Sequence, residues 1–250
     1  MRDYDAPVQV AEGIHRLTQG VVNFYLIEDR GKLALVDAGA PRDWEVLVRT
    51  LGSLGRTLED LECVLLTHAH SDHTGFAERA RSEAHATVRI HEADADVAKS
   101  GAVPKSEAGV GRYLLRVEAY RTLVGLMRRR GLKIVPIREV STFEDGETLD
   151  VPGRPRAVHA PGHTDGTCAM FFESRRVLLT GDALSTRNPL TGRRGPQIAP
   201  DGLNRDSERA LRSLDALATV PAELLLPGHG DPWTGGIADA IRLAKAAGRS

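Results

Sequence analysis

Cysteine is nearly absent from this chain of 250 residues, which holds only Cys63 and Cys168. Two cysteines with no metal-type spacing exclude a disulfide framework and a thiolate zinc site, and each sits in an apolar, strand-like run that suits a buried free thiol. Long hydrophobic runs are also missing. No segment approaches the ~18 apolar residues that span a bilayer, and Met1 to Val10 is acidic with no apolar centre, so neither a membrane helix nor a secretory signal is expected. A cytoplasmic protein without disulfides follows as the expectation. Charge of one sign is lacking too. Thirty-three Lys and Arg against 34 Asp and Glu leave a net charge of −1, which gives no general pull toward nucleic acid or an anionic membrane. A small-molecule substrate is the expected partner, and the oligomeric state is open. What is present is 41 % hydrophobic and 27 % charged residues, enough for a sizeable core. No Pro/Gly/Ser-rich linker divides it, so residues 1–250 read as a single domain.

The densest chemistry lies in Thr67-His68-Ala69-His70-Ser71-Asp72-His73, directly after the apolar stretch Cys63-Val64-Leu65-Leu66. Imidazole nitrogen and carboxylate oxygen are ligands for zinc and its first-row neighbours, and a strand ending in a loop can aim several at one point. Alternate residues of an extended segment face the same way. His68 and His70 can therefore share one ion while Asp72 and His73 turn toward a second, which suggests a dinuclear centre. Three further loops place a His or Asp beside glycine just after an apolar strand: Pro161-Gly162-His163, Gly181-Asp182 and Pro227-Gly228-His229. Glycine there permits tight turns and close approach of backbone to an ion or substrate.

Around these loops the pattern alternates between strand and helix. Residues 23–27 and 33–36 read as a hairpin, 43–54 as a helix with Trp44, Leu47, Val48, Leu51 and Leu54 on its apolar face, and 63–66 as the strand feeding the metal loop. A short helix over 75–84 and a strand over 87–90 follow. Residues 93–132 read as a helical insertion carrying Leu114, Val117, Tyr120, Val124 and Met127, either a packing element or a wall over the metals. Strands at 157–160, 168–172, 177–180 and 223–226 and helices at 207–218 and 236–247 complete the chain. His15, His85, His91 and His159 read as isolated packing or surface residues, and Asp165 and Asp231 as turn caps.

Together with Val36-Asp37-Ala38-Gly39, this ordered set resembles the metallo-β-lactamase superfamily. The resemblance implies an α/β (α+β) fold, a four-layer αβ/βα sandwich around two mostly antiparallel sheets with the site at one edge. It further implies that His68, His70 and His163 bind one divalent metal, that Asp72, His73 and His229 bind the other, and that Asp182 bridges them. Asp37 would orient a ligand from behind, aided by Thr67, and the early strand would bring Asn23 and Tyr25 beside the substrate. Zinc is the first expectation for the two ions, with iron or manganese as alternatives.

Two such ions can share a water and bring its pKa toward neutrality, giving a hydroxide nucleophile without Ser or Cys. Asp72 would hold its ion and help to orient that hydroxide as a catalytic residue. Thioesters and lactones suit this chemistry, as in the glyoxalase II-like and lactonase-like branches, whereas an amide nitrogen also needs a proton donor. No separate helical tail matches the glutathione-binding part of glyoxalase II. Other readings are a mononuclear iron persulfide dioxygenase, a metallo-nuclease using Arg175-Arg176 or Arg193-Arg194, and a non-catalytic scaffold. The turn-rich segment from Asn188 to Gln197 is expected to rim the pocket, with Arg193 and Arg194 drawing in an anionic group.

Overall fold

A computed structural model describes residues 7–250. Seven strands form the first sheet in chain order: β1 (Val8–Ala11), β2 (Ile14–Gln19), β3 (Val22–Asp29), β4 (Lys32–Val36), β5 (Leu61–Leu66), β6 (Thr87–His91) and β7 (Ser141–Phe143). The second sheet is built from β8 (Arg156–His159), β9 (Cys168–Phe172), β10 (Val177–Gly181) and β13 (Leu224–Pro227), in the order β13-β10-β9-β8. A separate hairpin pairs β11 (Ser185–Arg187) with β12 (Arg194–Gln197).

Strand alternation sorts the core into layers. On β4, Leu33 and Leu35 face outward with Val64 and Leu66 of β5, where α1 (Trp44–Ser53), α3 (Ala77–Glu83) and α4 (Glu92–Ser100) cover them; the single turn α2 (Ser71–Thr74) lies in the metal loop itself. The intervening Ala34, Val36, Cys63 and Leu65 face inward and meet Cys168, Met170, Phe172 and Leu179 of the second sheet. Phe171 and Leu178 point the other way, against Leu214 of α6 (Ser207–Ala218) and Ile241 of α7 (Ile237–Ala247). The result is helix, sheet, sheet, helix, as expected. No helix of the described residues is long and apolar enough to cross a membrane.

Three expectations need correction. The sheets are mixed rather than mostly antiparallel, because β4, β5, β6 and β7 run parallel, as do β10 and β13. Helical crossovers return the chain to the same edge each time, and that geometry requires parallel pairing. In α1 the buried stripe is Trp44, Val46, Leu47, Thr50 and Leu51, with Val48 exposed. The insertion is also shorter than 93–132, since α4 belongs to the first layer through Ala95 and Ala98.

The remaining excursion contains α5 (Val117–Arg128), and its apolar residues mostly do not pack inward. Leu114 lies in the turn before the helix, and Leu114, Val117, Tyr120 and Met127 are exposed while Ala119 and Thr122 are buried. Polar bonds tie this segment down. Thr122 donates to Pro189 O at 2.6 Å, Ser71 donates to Gly131 O at 2.6 Å, and Arg129 pairs with Asp43 at 3.0 Å.

Candidate metal centre

The C-terminal ends of β4, β5, β8, β10 and β13 open toward one edge, and the residues singled out in the sequence follow them closely: Asp37, Thr67 to His73, His163, Asp182 and His229. All seven expected donors meet there. One ligand atom from each of His68, His70 and His163 lies within 4.8 Å of the others, and the same holds for His68, His73 and Asp182 and for Asp72, His73 and His229. The Asp182 carboxylate sits centrally, 3.4 Å from His163 Nε2, 3.1 Å from His229 Nε2 and 3.7 Å from His73 Nε2. Asp72 stands 3.7 Å from His229 Nε2.

Close packing at this edge depends on two glycines. A Cβ on Gly181, whose φ is +49°, would lie 2.4 Å from Thr67 Oγ1. One on Gly228 would lie 2.4 Å from Asp182 Oδ1. Real Cβ atoms do not approach so near, so only glycine lets β10 and β13 bring their loops together.

Each imidazole but His70 is fixed from behind. His73 Nδ1–H donates to Asp37 Oδ2 at 2.8 Å, His229 Nδ1–H to Val21 O at 2.7 Å and His163 Nδ1–H to Asn204 Oδ1 at 3.0 Å. Thr67 gives its hydroxyl proton to Asp37 and then accepts from His68 Nδ1–H at 3.0 Å. These bonds hold each ring with Nε2 aimed inward, where His163 Nε2 meets His70 Nδ1 at 2.7 Å and His229 Nε2 meets Asp182 at 3.1 Å. Asp37 performs this with a positive φ of 64°, a strained conformation for a non-glycine residue and one that points its carboxylate under the centre.

Three of the inward atoms, His68 Nε2, His73 Nε2 and Asp182 Oδ1, are buried with no hydrogen-bond partner among the described residues. Orphaned buried polar atoms of this kind are costly, and here they converge. Neutral imidazole nitrogens and carboxylate oxygens are the donors a divalent ion takes, so the residues fit one or two such ions.

The protonation pattern divides the imidazoles, with His68, His70 and His163 held neutral and His73 and His229 pushed toward the charged form. Burial holds His68 and His163 below the ordinary imidazole value and brings His70 down to about 3. Burial would also lower His73, but Asp182, Asp37 and Asp72 outweigh it and push the group up to about 10. His229 is raised against its burial by Asp182. Burial acts to raise both carboxyls, yet His229 and His73 hold Asp182 far below the carboxylate range, and His73 and His229 lower Asp72. At pH 7 the metal-free protein therefore keeps a proton on His73 that an ion must expel. Divalent metal binding at pH 7 should release at least one proton, and affinity should rise with pH up to about 10 and then level off. Calorimetric titration of metal-free protein in buffers of different ionisation enthalpy reads this directly; a proton count of zero would contradict the assignment.

Several sequence expectations change in place. Asn23 and Tyr25 are buried behind the centre, and Asn23 also lines a cavity beside the His229 loop. Asn23 donates to Pro227 O and Gly230 O, and Tyr25 donates to Pro227 O at 2.7 Å, which braces the His229 loop. Asp165 pairs with Arg205 and Arg209, and Asp231 with Arg16 and Arg194, so both make ion pairs where turn caps were expected. His91 and His159 are not isolated, since their rings stack at 4.0 Å and join the two sheets. His15 packs against Glu28 at 2.9 Å, and His85 is exposed.

Two residues escaped the sequence reading. Asn204, which carries no motif, orients His163. Asp94 is buried, and its carboxylate accepts from Ala69 N–H at 3.0 Å, Thr164 Oγ1–H at 2.7 Å and Gly166 N–H at 2.9 Å, linking the loops of His68, His70 and His163. Its place in the first turn of a helix was the only available signal.

Fold and site together define a metallo-hydrolase. The chain belongs to the metallo-beta-lactamase superfamily, whose family model matches residues 17–229. It is 28 % identical to the probable metallo-hydrolase YflN of Bacillus subtilis (strain 168) over 244 residues, 92 % of this chain and 88 % of that one. The crystal structure of a metallo-beta-lactamase family protein from Thermus thermophilus, TTHA1429, superposes with a TM-score of 0.70 at 26 % identity, covering 96 % of this chain and 80 % of the other. The human acyl-coenzyme A thioesterase MBLAC2 is 25 % identical over 119 residues, 47 % of this chain and 39 % of its own.

Proposed function

We propose that the protein is a dinuclear zinc hydrolase that opens thioesters, with lactones as the neighbouring substrate class. The observation that carries this reading is the convergence of seven donors from four strand ends, three of them with orphaned buried atoms. His68, His70 and His163 would hold one ion and Asp72, His73 and His229 the other, with Asp182 between them. Ions so held would supply Lewis-acid polarisation of a carbonyl and a water of lowered pKa.

The chain's own residues support the rest. No thiol is placed to act as nucleophile: Cys63 and Cys168 are buried in the core, and burial pushes the Cys63 thiol up to about 12 and that of Cys168 higher still. The Thr67 hydroxyl is committed to Asp37. The Tyr25 hydroxyl is committed to Pro227 O and raised well above its ordinary value by burial, so it cannot protonate a leaving amine. A thiolate or alkoxide leaves without such a donor, which favours thioester or lactone over amide. Asp72, the more accessible of the two central carboxylates, would accept a proton from the attacking water. The relative MBLAC2, an acyl-coenzyme A thioesterase, points to the same class.

Elemental analysis of protein purified without added metal, followed by a thioester and lactone panel, tests the proposal. Expected are about two zinc ions per chain and a best kcat/KM on the order of 10⁴ M⁻¹ s⁻¹ or above, lost on chelation and restored by zinc. About one iron per chain with oxygen uptake would overturn it in favour of sulfur oxidation.

A further inference from the structure

A cavity of about 470 Å³ opens beside the His229 loop, within the size range of small-molecule sites at roughly 300–1,000 Å³. Its wall includes Val21 and Gly230 and carries three guanidinium groups, Arg16 from β2, Arg187 from β11 and Arg194 from β12. Val21 O is the acceptor that fixes His229, and Gly230 is the next residue along the chain, so the cavity and the metal centre share one loop.

The charge in this cavity is incompletely answered. Asp231 reaches toward Arg16 at 3.5 Å and Arg194 at 3.6 Å, and its side chain is 74 % exposed, so it holds neither arginine closely. Contacts that long and wet contribute little. Arg187 pairs with Glu118 of α5, outside the cavity wall. The Nε–H groups of Arg16 and Arg187 are buried and have no acceptor among the described residues. With Arg187 paired to Glu118, Arg16 and the exposed Arg194 share one exposed carboxylate, and two buried donors lack acceptors. Guanidinium forks with free N–H groups match the paired oxygens of a phosphate or carboxylate. Arg193 takes no part, since it turns away to Ala247 O.

We propose that this cavity binds an oxyanion, phosphate or carboxylate, carried on the part of the substrate remote from the scissile bond. The assignment rests on the hydrolase reading only in calling that molecule a substrate; the anion site itself stands on the arginines. A substrate held there at one end lies beside the His229 loop, and binding energy from the remote group then serves to position the reacting group.

Equilibrium binding separates an anion held by the arginines from one held at the metals. Zinc-loaded wild type and the double variant Arg16→Gln/Arg194→Gln are titrated calorimetrically with 3′,5′-adenosine bisphosphate and with glutarate, and zinc content is measured on the same samples. At least one probe should bind wild type with Kd below ~1 mM and the double variant at least ~10-fold more weakly at equal zinc content. The probe that loses affinity identifies phosphate or carboxylate as the recognised group. Equal affinity for both proteins would place the anion at the metals and overturn the proposal, as would failure of both probes to bind wild type. Should the double variant fold poorly, Arg187→Lys keeps the charge and removes the fork, and it should weaken the same probe.

Kinetics adds a second readout. For matched thioesters with and without a phosphorylated thiol, or with and without an acyl carboxylate, the charged-to-uncharged ratio of kcat/KM should fall at least ~10-fold in the double variant. An unchanged ratio overturns the cavity assignment. Arginine-dependent probe binding without hydrolysis of any thioester would instead leave the anion site standing and remove the thioester reading.

Discussion

Replacing Asp182 by Asn is expected to abolish hydrolysis, with at least ~10³-fold loss of kcat/KM and, on the proposed dinuclear reading, the loss of at least one ion per chain. An outer partner of a ligand typically costs only about 10–100-fold, so the size of the loss separates a bridging donor from a supporting one. The substitution keeps the shape and removes the charge. Among the described residues, Asp182 is the only carboxylate within 3.4 Å of both His163 Nε2 and His229 Nε2, and no other acid stands between the two groups of donors. The metal-free variant carries a second signature. Asp182 is the largest influence raising His73 against its burial, so the His73 imidazole should titrate well below 10 once the carboxylate is gone. NMR titration of the metal-free proteins measures it. Full metal occupancy in Asp182→Asn would show that the carboxylate is not shared between the ions.

Much of this centre is legible in the sequence alone. The donors are readable because the chemistry permits few residue types, and strand-then-turn patterning places those residues at strand ends. Alternation along β4, β5, β9 and β10 makes the layered core readable for the same reason. Roles set by long-range contact are not readable. Nothing local distinguishes Tyr25 facing a substrate from Tyr25 bonded to Pro227 O, 202 residues away. The α5 stripe of Val117, Tyr120 and Met127 shows the limit of periodicity, which marks an apolar face without saying whether anything covers it. Likewise His91 and His159 are far apart in sequence and meet only because the two sheets do.

Asp94 is the sharpest instance, because a residue with no motif is expected to matter nearly as much as a ligand. Its carboxylate is 2 % exposed and takes three hydrogen bonds, two of them from the backbone N–H groups of Ala69, between His68 and His70, and Gly166, in the loop that follows His163. It also stands in the first turn of α4, where the helix favours a negative charge. In Asp94→Ala the Ala69 and Gly166 N–H groups lose this acceptor, at about 1–3 kcal/mol each, whereas the Thr164 hydroxyl still has Thr167 Oγ1 at 2.8 Å. A loss of about 3 kcal/mol corresponds to a fall in Tm of roughly 6–12 °C for a chain of this size. Positioning should suffer as well. With the Ala69 and Thr164 segments released from each other, His163 is no longer held opposite His68 and His70, and metal affinity should weaken about 10–100-fold. Asp94→Asn should fall between wild type and Asp94→Ala, since its amide keeps one acceptor oxygen but turns an NH₂ group toward a donor. Calorimetric unfolding of the metal-free protein and competitive metal titration of both variants separate the two effects. A lowered Tm with unaltered metal affinity would reduce Asp94 to a packing residue, whereas weakened affinity in both variants would establish it as the brace that sets the spacing of the first ligand group.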